Sequence, residues 1–481
     1  MIIGDTVAFS HIYTKNPYNY HHSPVIRPFI IRVTGRSLFW VEGEKEHKRM
    51  RSLFAPAFSS DNVRTMHADV YHVSSALQTR IANEIHASGN SSLQLNILDY
   101  TARATLDIIG RVAFGHDFNA VGGDALDAIK IINAVRTQSE MSCKHSAFTG
   151  LLVLRLFPWI TSLPLKAIQA QGAVADTVRK LAKDIVANSQ IDNKGDGKDL
   201  MSLMLQANAC QHESKRCDIA EIYEHIVTSV LVFICRSAAT LIVNMDFHSV
   251  AAYETTSSVL AFTIWTLAQN PDIQSKLREE VRTIAGEPTY DDFVDPNLLP
   301  YLDSICKEAM RMFLPAVRGE KVVEEDDIIP LRQPIRGADG SWINSIPVKK
   351  GQVIHIPSLG INRDEAVFGD ADTFRPTRWL VGRGDAAEAK YCTPGEHGIP
   401  PADQMCGGWS GLSTFSEGPR ICVGMKLALF EYKAILTTLI RSFQFHDTGV
   451  VISMRSYTLL MPRIKGREHE GLNLPVKVTL I

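Results

Sequence analysis

Ten residues near the C-terminal end carry the clearest chemistry: Phe415-Ser416-Glu417-Gly418-Pro419-Arg420-Ile421-Cys422-Val423-Gly424. One cysteine stands between two glycines, and Met425-Lys426-Leu427-Ala428 opens a helix just after it. Gly418 and Gly424 permit turns and close approaches that a Cβ forbids. Backbone N–H groups at a helix start, with Arg420 nearby, favour a thiolate over a thiol. Phe415 offers a face to a flat apolar partner. These are the needs of a sulfur that binds a metal inside a macrocycle. The plainer reading is a buried structural cysteine in a glycine-rich turn, the usual fate of an isolated cysteine.

Three further groups stand at helical spacing. Glu308-Ala309-Met310-Arg311 sets an acid and a base three apart on one helix face. Alone that is an ordinary surface ion pair, worth under about 1 kcal/mol. Glu254-Thr255-Thr256 follows Ala251-Ala252-Tyr253 at the head of an apolar helix, where an acid beside a hydroxyl reads most simply as an N-cap region. His47 and Arg51 stand four apart in a charged run. On a helix they share a face and suit two carboxylates; the alternative is a solvated charged face.

The elements that must hold these groups are mostly helical. Residues 254–269 are apolar nearly all round, as in a helix buried in a large core, and Asn270-Pro271 ends it. Residues 271–285 place Ile273, Leu277, Val281 and Ile284 on one face and stop at Gly286. Residues 301–313 form another helix, entered through Pro300 and left before Pro315. Val322-Val323, Ile328-Ile329 and residues 353–356 predict short strands, Asp339-Gly340 predicts a hairpin turn, and residues 476–480 alternate. The expected class is mainly α with small β-sheets. No Pro/Gly/Ser-rich linker divides the chain, so one large domain is expected over residues 1–481.

Lys plus Arg number 50 against 52 Asp plus Glu, which argues against a nucleic-acid binder. The eight cysteines are scattered, so the chain reads as reduced and intracellular rather than disulfide-stapled. The apolar stretch from Ile226 to Met245 has the length of a bilayer span but is interrupted by Arg236 and lacks an aromatic belt or basic flank.

The ten-residue pattern resembles the haem-binding loop of the cytochrome P-450 family, Phe-x-x-Gly-x-Arg-x-Cys-x-Gly, with every fixed position met. The resemblance covers roughly residues 5 to 465. It implies an α-rich prism with haem b buried between the Glu254 helix and the Cys422 loop, Cys422 being the axial iron ligand. Phe415, Gly418, Arg420 and Gly424 would complete the haem loop. Glu308-x-x-Arg311 resembles the family's buried Glu-x-x-Arg pair, completed by Arg378 of Phe374-Arg375-Pro376-Thr377-Arg378-Trp379. That network would hold the loop that presents Cys422. Ala251-Ala252-Tyr253-Glu254-Thr255-Thr256 looks like the oxygen-activation motif, in which Glu254 and Thr255 pass protons toward dioxygen. His47, Arg51 and, from the strand region, Lys321 would contact haem propionates. Lys45, Lys48, Arg49, Arg51 and Lys426 would offer a basic face to an acidic redox partner.

The activity implied is monooxygenation of a lipophilic substrate by a monomer of fungal type. Electrons would come from NADPH through a separate NADPH–cytochrome P-450 reductase at the cytosolic face of the endoplasmic reticulum. A terpenoid of secondary metabolism is the expected substrate; a fatty-acid hydroxylase and a degenerate haem protein without turnover are the alternatives. Three features depart from the pattern. Against the family's pattern, the sequence is expected to begin after the membrane anchor, hinge and first strands. Ala252 stands where glycine is usual. Residues 230–250 form an extra segment before the oxygen-motif helix, read as a retained intron or a splice error that transcript sequencing would test. Among rival readings, Gly382-Arg383-Gly384-Asp385-Ala386-Ala387 matches a nicotinamide-binding pattern without the strand and βαβ unit it needs. Cys210 to Cys217 lacks a second ligand pair for zinc, and Asn90-Ser91-Ser92 is a bare glycosylation match.

Overall fold

A computed structural model of the protein describes residues 1–24, 40–123, 252–456 and 459–481, with isolated positions between them. Residues 230–250, the Ile226–Met245 stretch and the Cys210–Cys217 segment lie outside the described residues.

At the centre runs the helix Ala252–Gln269. Val259, Leu260, Phe262, Ile264 and Leu267 are all buried, as expected of a helix apolar all round. Two of its hydroxyls reach sideways: Thr263 pairs with the Tyr432 hydroxyl at 2.9 Å, and Ser258 donates to Leu460 O at 3.1 Å. It packs between the helices Ile97–Phe114 and Met425–Ser442. Pro271 opens the next helix, Pro271–Val281, at the position where its missing N–H does no harm. That helix stops four residues short of the 271–285 expected. The reason is Arg441, whose guanidinium takes the carbonyls of Val281 and of Ile284, the latter at 2.7 Å, so the last turn unwinds. The helix Pro300–Met312 is entered through Pro300 as expected. Glu280 caps it, accepting from Tyr301 N at 2.8 Å and Leu302 N at 2.7 Å.

The sheets are small and antiparallel. One joins Tyr20–His21, Gly319–Val323 and Val353–Ile356, with Tyr20 opposite Val323. Ile2 adds a parallel bridge to His355 at its edge. A second joins Ser92–Asn96, Pro475–Leu480 and Phe443–His446. The strands Asp327–Arg336 and Trp342–Val348 form the hairpin whose turn holds Gly340 at φ +84°. Two hydrophobic clusters follow this division: a large one around the central helices and a small one around Phe9, Tyr20, Ile354 and Ile356. The architecture is mainly α with small sheets. Among the described residues no helix is long and apolar enough to cross a membrane.

Candidate active site

The Cys422 loop is a closed turn leading into the Met425–Ser442 helix. Cys422 N donates to Phe415 O at 2.8 Å, which fixes the two ends of the motif against each other. Phe415 is held edge-on to Trp409, with ring centres 5.5 Å apart. Gly418 has φ +63°, and a Cβ there would stand 2.3 Å from Tyr13 O, so no other residue fits. Gly424 differs: a Cβ would meet only Phe58 Cε1, at an ordinary 3.8 Å.

The Cys422 side chain is solvent-accessible, yet burial pushes its thiol above the ordinary value. Both hold for a sulfur with one open face and otherwise buried surroundings. The amides of Gly424 and Met425 and the Arg51 guanidinium pull the thiol back down, as a helix start and a nearby cation do. The supporting cation is therefore Arg51 rather than Arg420. Arg51 Nη1 donates to Ile421 O at 2.6 Å. Arg420 turns to where acceptors converge: Val41 O and Glu42 O at 3.0 Å each, and Glu42 Oε2 at 3.5 Å.

Around Arg420 lies a cluster that local spacing in the sequence does not announce. Glu42 Oε1 accepts from His22 N at 2.8 Å and His22 Nδ1 at 2.6 Å. Burial alone would raise the Glu42 carboxyl, but His22 and Lys321 outweigh it and hold the group well below the carboxylate range. Burial and Lys321 lower His22 to about 4, so it faces Glu42 as a neutral donor. Lys321 is buried above the Tyr13 ring, and burial with the nearby Arg420 lowers it to about 8. His47 is buried on the helix Glu44–Phe54 with its Nδ1 3.1 Å from the Tyr18 hydroxyl. Burial, Arg420 and Arg51 lower it to about 4, so it offers a neutral imidazole and leaves Arg51 as the cation of that pair. Among the described residues, Arg420 and Lys321 thus share the Glu42 carboxylate, Arg51 stands by the loop as a further cation, and Arg420 Nε is buried without a partner. A donor set with surplus cations fits a group bearing two carboxylates, as haem does.

Glu308, Arg311 and Arg378 meet in a site of zero exposure. Glu308 accepts from Arg311 Nε at 2.9 Å and Nη2 at 2.8 Å, and from Arg378 Nε at 3.0 Å. Trp379 Nε1 at 3.0 Å and Arg375 N at 2.9 Å complete five donors on one carboxylate. The remaining guanidinium N–H groups go to backbone carbonyls between Asn362 and Thr373.

At the head of the central helix Glu254 is buried and Thr255 half-buried. Thr105 donates to Tyr253 O at 2.9 Å and Ser257 to Glu254 O at 3.0 Å, so neighbouring hydroxyls hold the first turn. Thr256 bonds Glu431 of the Met425–Ser442 helix; burial raises this carboxyl to about 8, so it is protonated at neutral pH. Glu431 sat unremarked in the sequence because an acid in a helix there reads as solvated.

The rival motif dissolves. Gly382 and Gly384 follow a 3-10 turn, not a strand, and their amides are taken by the Glu388 carboxylate at 2.7 and 2.6 Å. Among the described residues no three His, Cys, Asp or Glu side chains gather as a metal site, and Cys306, Cys392, Cys406 and Cys422 are free.

The family model of cytochrome P-450 matches residues 1–467. Cytochrome P-450 monooxygenase claQ of Ampulloclitocybe clavipes is 28% identical over 99% of this chain and 83% of its own length. Cytochrome P-450 monooxygenase 91 of Postia placenta is 29% identical over 92% of this chain and 79% of its own. With Cys422 at a helix start, a dry Glu308 network and a surplus of cations beside them, the chain belongs to the cytochrome P-450 family, the haem-thiolate monooxygenases.

Proposed function

We propose that this chain oxidises a lipophilic substrate, Cys422 serving as the axial ligand of haem b. The observation that carries the reading is the Cys422 sulfur itself, solvent-accessible at the head of a helix, with two helix amides and Arg51 drawing its thiol down against the effect of burial. Haem held by a thiolate activates dioxygen for insertion of one oxygen atom into a C–H bond. Arg420, Arg51 and Lys321 would bind the propionates, with His47 as a neutral donor. Phe415 and Gly424 would border the ring. Glu254 and Thr255 would hold and pass the protons that oxygen cleavage consumes. The Glu308–Arg311–Arg378 network keeps the surrounding backbone rigid. Electrons would arrive from NADPH through a separate reductase, drawn by Lys45, Lys48, Arg49 and Lys426, at the cytosolic face of the endoplasmic reticulum.

A terpenoid-type substrate of secondary metabolism is proposed for first testing, with fatty acids second. The relatives are fungal monooxygenases whose names specify no substrate. The deciding measurement is a reduced, carbon-monoxide difference spectrum of the purified protein. A red-shifted Soret band in wild type, absent in Cys422→Ala, supports the assignment. Wild type without the band sinks it. Thr255→Ala is expected to keep the band while uncoupling oxygen consumption from product.

A further inference from the structure

The Glu308 network is rigid, but its guanidiniums do not reach the Cys422 loop. Among the described residues, the backbone bonds of Arg311 and Arg378 end on carbonyls between Asn362 and Thr373. Something else must carry that rigidity across.

We propose that Asn362 is the positioning residue that couples the Glu308 network to the loop bearing Cys422. It closes the short helix Ser358–Asn362 and is 1% exposed. Its carbonyl accepts from Arg311 Nη1 at 3.1 Å, which ties it to the network. Its side chain then grips two consecutive residues on the far side. Oδ1 accepts from Ser413 N at 3.0 Å and from Ser413 Oγ at 2.8 Å. Nδ2 donates to Thr414 Oγ1 at 3.0 Å. Thr414 in turn donates to Met310 O, at 2.8 Å, on the helix of Glu308 and Arg311. The next residue is Phe415, whose carbonyl receives Cys422 N at 2.8 Å. An amide supplies an acceptor for Ser413 and a donor for Thr414 on two separate atoms, so it can grip both residues at once. Being buried, these bonds are costly to break, because each loss strands a polar group away from water.

The role assigned to Asn362 rests on Cys422 being the iron ligand, so the test reads loop and iron separately. The haem-loaded protein is compared as wild type, Asn362→Leu, Asn362→Asp, Thr414→Val and Val281→Ala. The last is a remote core variant that controls for general loss of stability. Amide hydrogen exchange reports the loop, and the reduced carbon-monoxide spectrum reports the sulfur. Asn362→Leu is expected to speed exchange at Ser413 and Cys422 roughly tenfold, the loss of one buried hydrogen bond. It is also expected to move most of the Soret amplitude out of the red-shifted band. Asn362→Asp keeps Oδ1 and protects Ser413 while loosening Thr414. Thr414→Val, which tests the link should Asn362→Leu fail to fold, gives a smaller change in the same direction. If Asn362→Leu and Thr414→Val match Val281→Ala in both readouts, the proposal is overturned. If wild type lacks the red-shifted band, the haem assignment fails and the exchange data alone decide the coupling.

Discussion

Around Glu308, two guanidiniums share one carboxylate at zero exposure, and their other N–H groups find backbone carbonyls. Around Arg420, among the described residues, Arg420 and Lys321 share the Glu42 carboxylate with Arg51 beside them, His22 and His47 are neutral, and Arg420 Nε has no partner. Both regions flank the loop of Cys422. The first is complete in itself, and its charges serve the fold. The second keeps cations to spare, and its charges are those the proposed haem propionates would take up. A saturated buried network argues for structure; a buried surplus of one sign argues for binding.

The sharpest break of this contrast is Glu308→Ala. It strands Arg311 and Arg378 as unpaired buried cations, a loss of about 3–5 kcal/mol, seen as failure to give soluble protein or as a steep fall in the urea midpoint. Glu431 stands between the two cases, a buried carboxyl that stays protonated instead of finding a cation. Its folded value, about 8, lies above its ordinary 4.5. Wild type is therefore expected to lose a few kcal/mol relative to Glu431→Gln as pH rises from about 4.5 to about 8, and little beyond. Denaturant titrations of both proteins across that range check the sign.

Lys321→Met inverts the first prediction. In the haem-free protein, removing a cation from the surplus cluster is expected to leave stability unchanged or raise it, while the loaded protein releases haem faster. The Lys321 amine is lowered to about 8, so haem-free wild type gains stability as pH climbs from about 8 toward its ordinary 10.5, and the methionine variant does not. Haem-free thermal melts and transfer of haem to an acceptor protein measure the two arms. A result in which Lys321→Met destabilises the haem-free protein as Glu308→Ala does would collapse the distinction. The smallest effect is expected at the exposed Lys48–Glu44 pair. Lys48→Ala should leave the melting temperature within error, though a loss of reductase affinity there would support the basic docking face.

What the sequence made legible follows the range of the interactions. The Cys422 loop is ten contiguous residues, and its helix start and closing bond follow from local geometry, whereas Gly418 also answers to Tyr13 O from the far end of the sequence. The Glu308–Arg311 pair is local, and Arg378 sits in a recognisable segment of its own. Helix starts at Pro271 and Pro300 were visible because proline fixes them; the end at Val281 was not, since the responsible Arg441 is 160 residues away. Glu42, His22 and Asn362 carry no local signature. Each acquires its role from a partner in another element, so a charge beside Gly43 and an amide after Ile361 read as surface. Arg420 was assigned to the sulfur by nearness along the chain, whereas the acceptors that hold it come from Val41 and Glu42.

The contact that forces glycine at position 418 joins the two ends of the molecule. Tyr13 O presses on Gly418, Thr14 donates to Glu417 Oε1 across 403 residues, and Thr6 donates to Gln404 O across 398. None of these can form until nearly the whole chain has left the ribosome. The Cys422 loop is thus among the last parts to take its shape during synthesis, and its closure has the slow kinetics of distant pairings. A nascent chain stalled before residue 404 would hold the apolar Ala252–Gln269 helix without the Met425–Ser442 helix that packs against it, which makes late truncations a source of aggregates rather than of partly working enzyme.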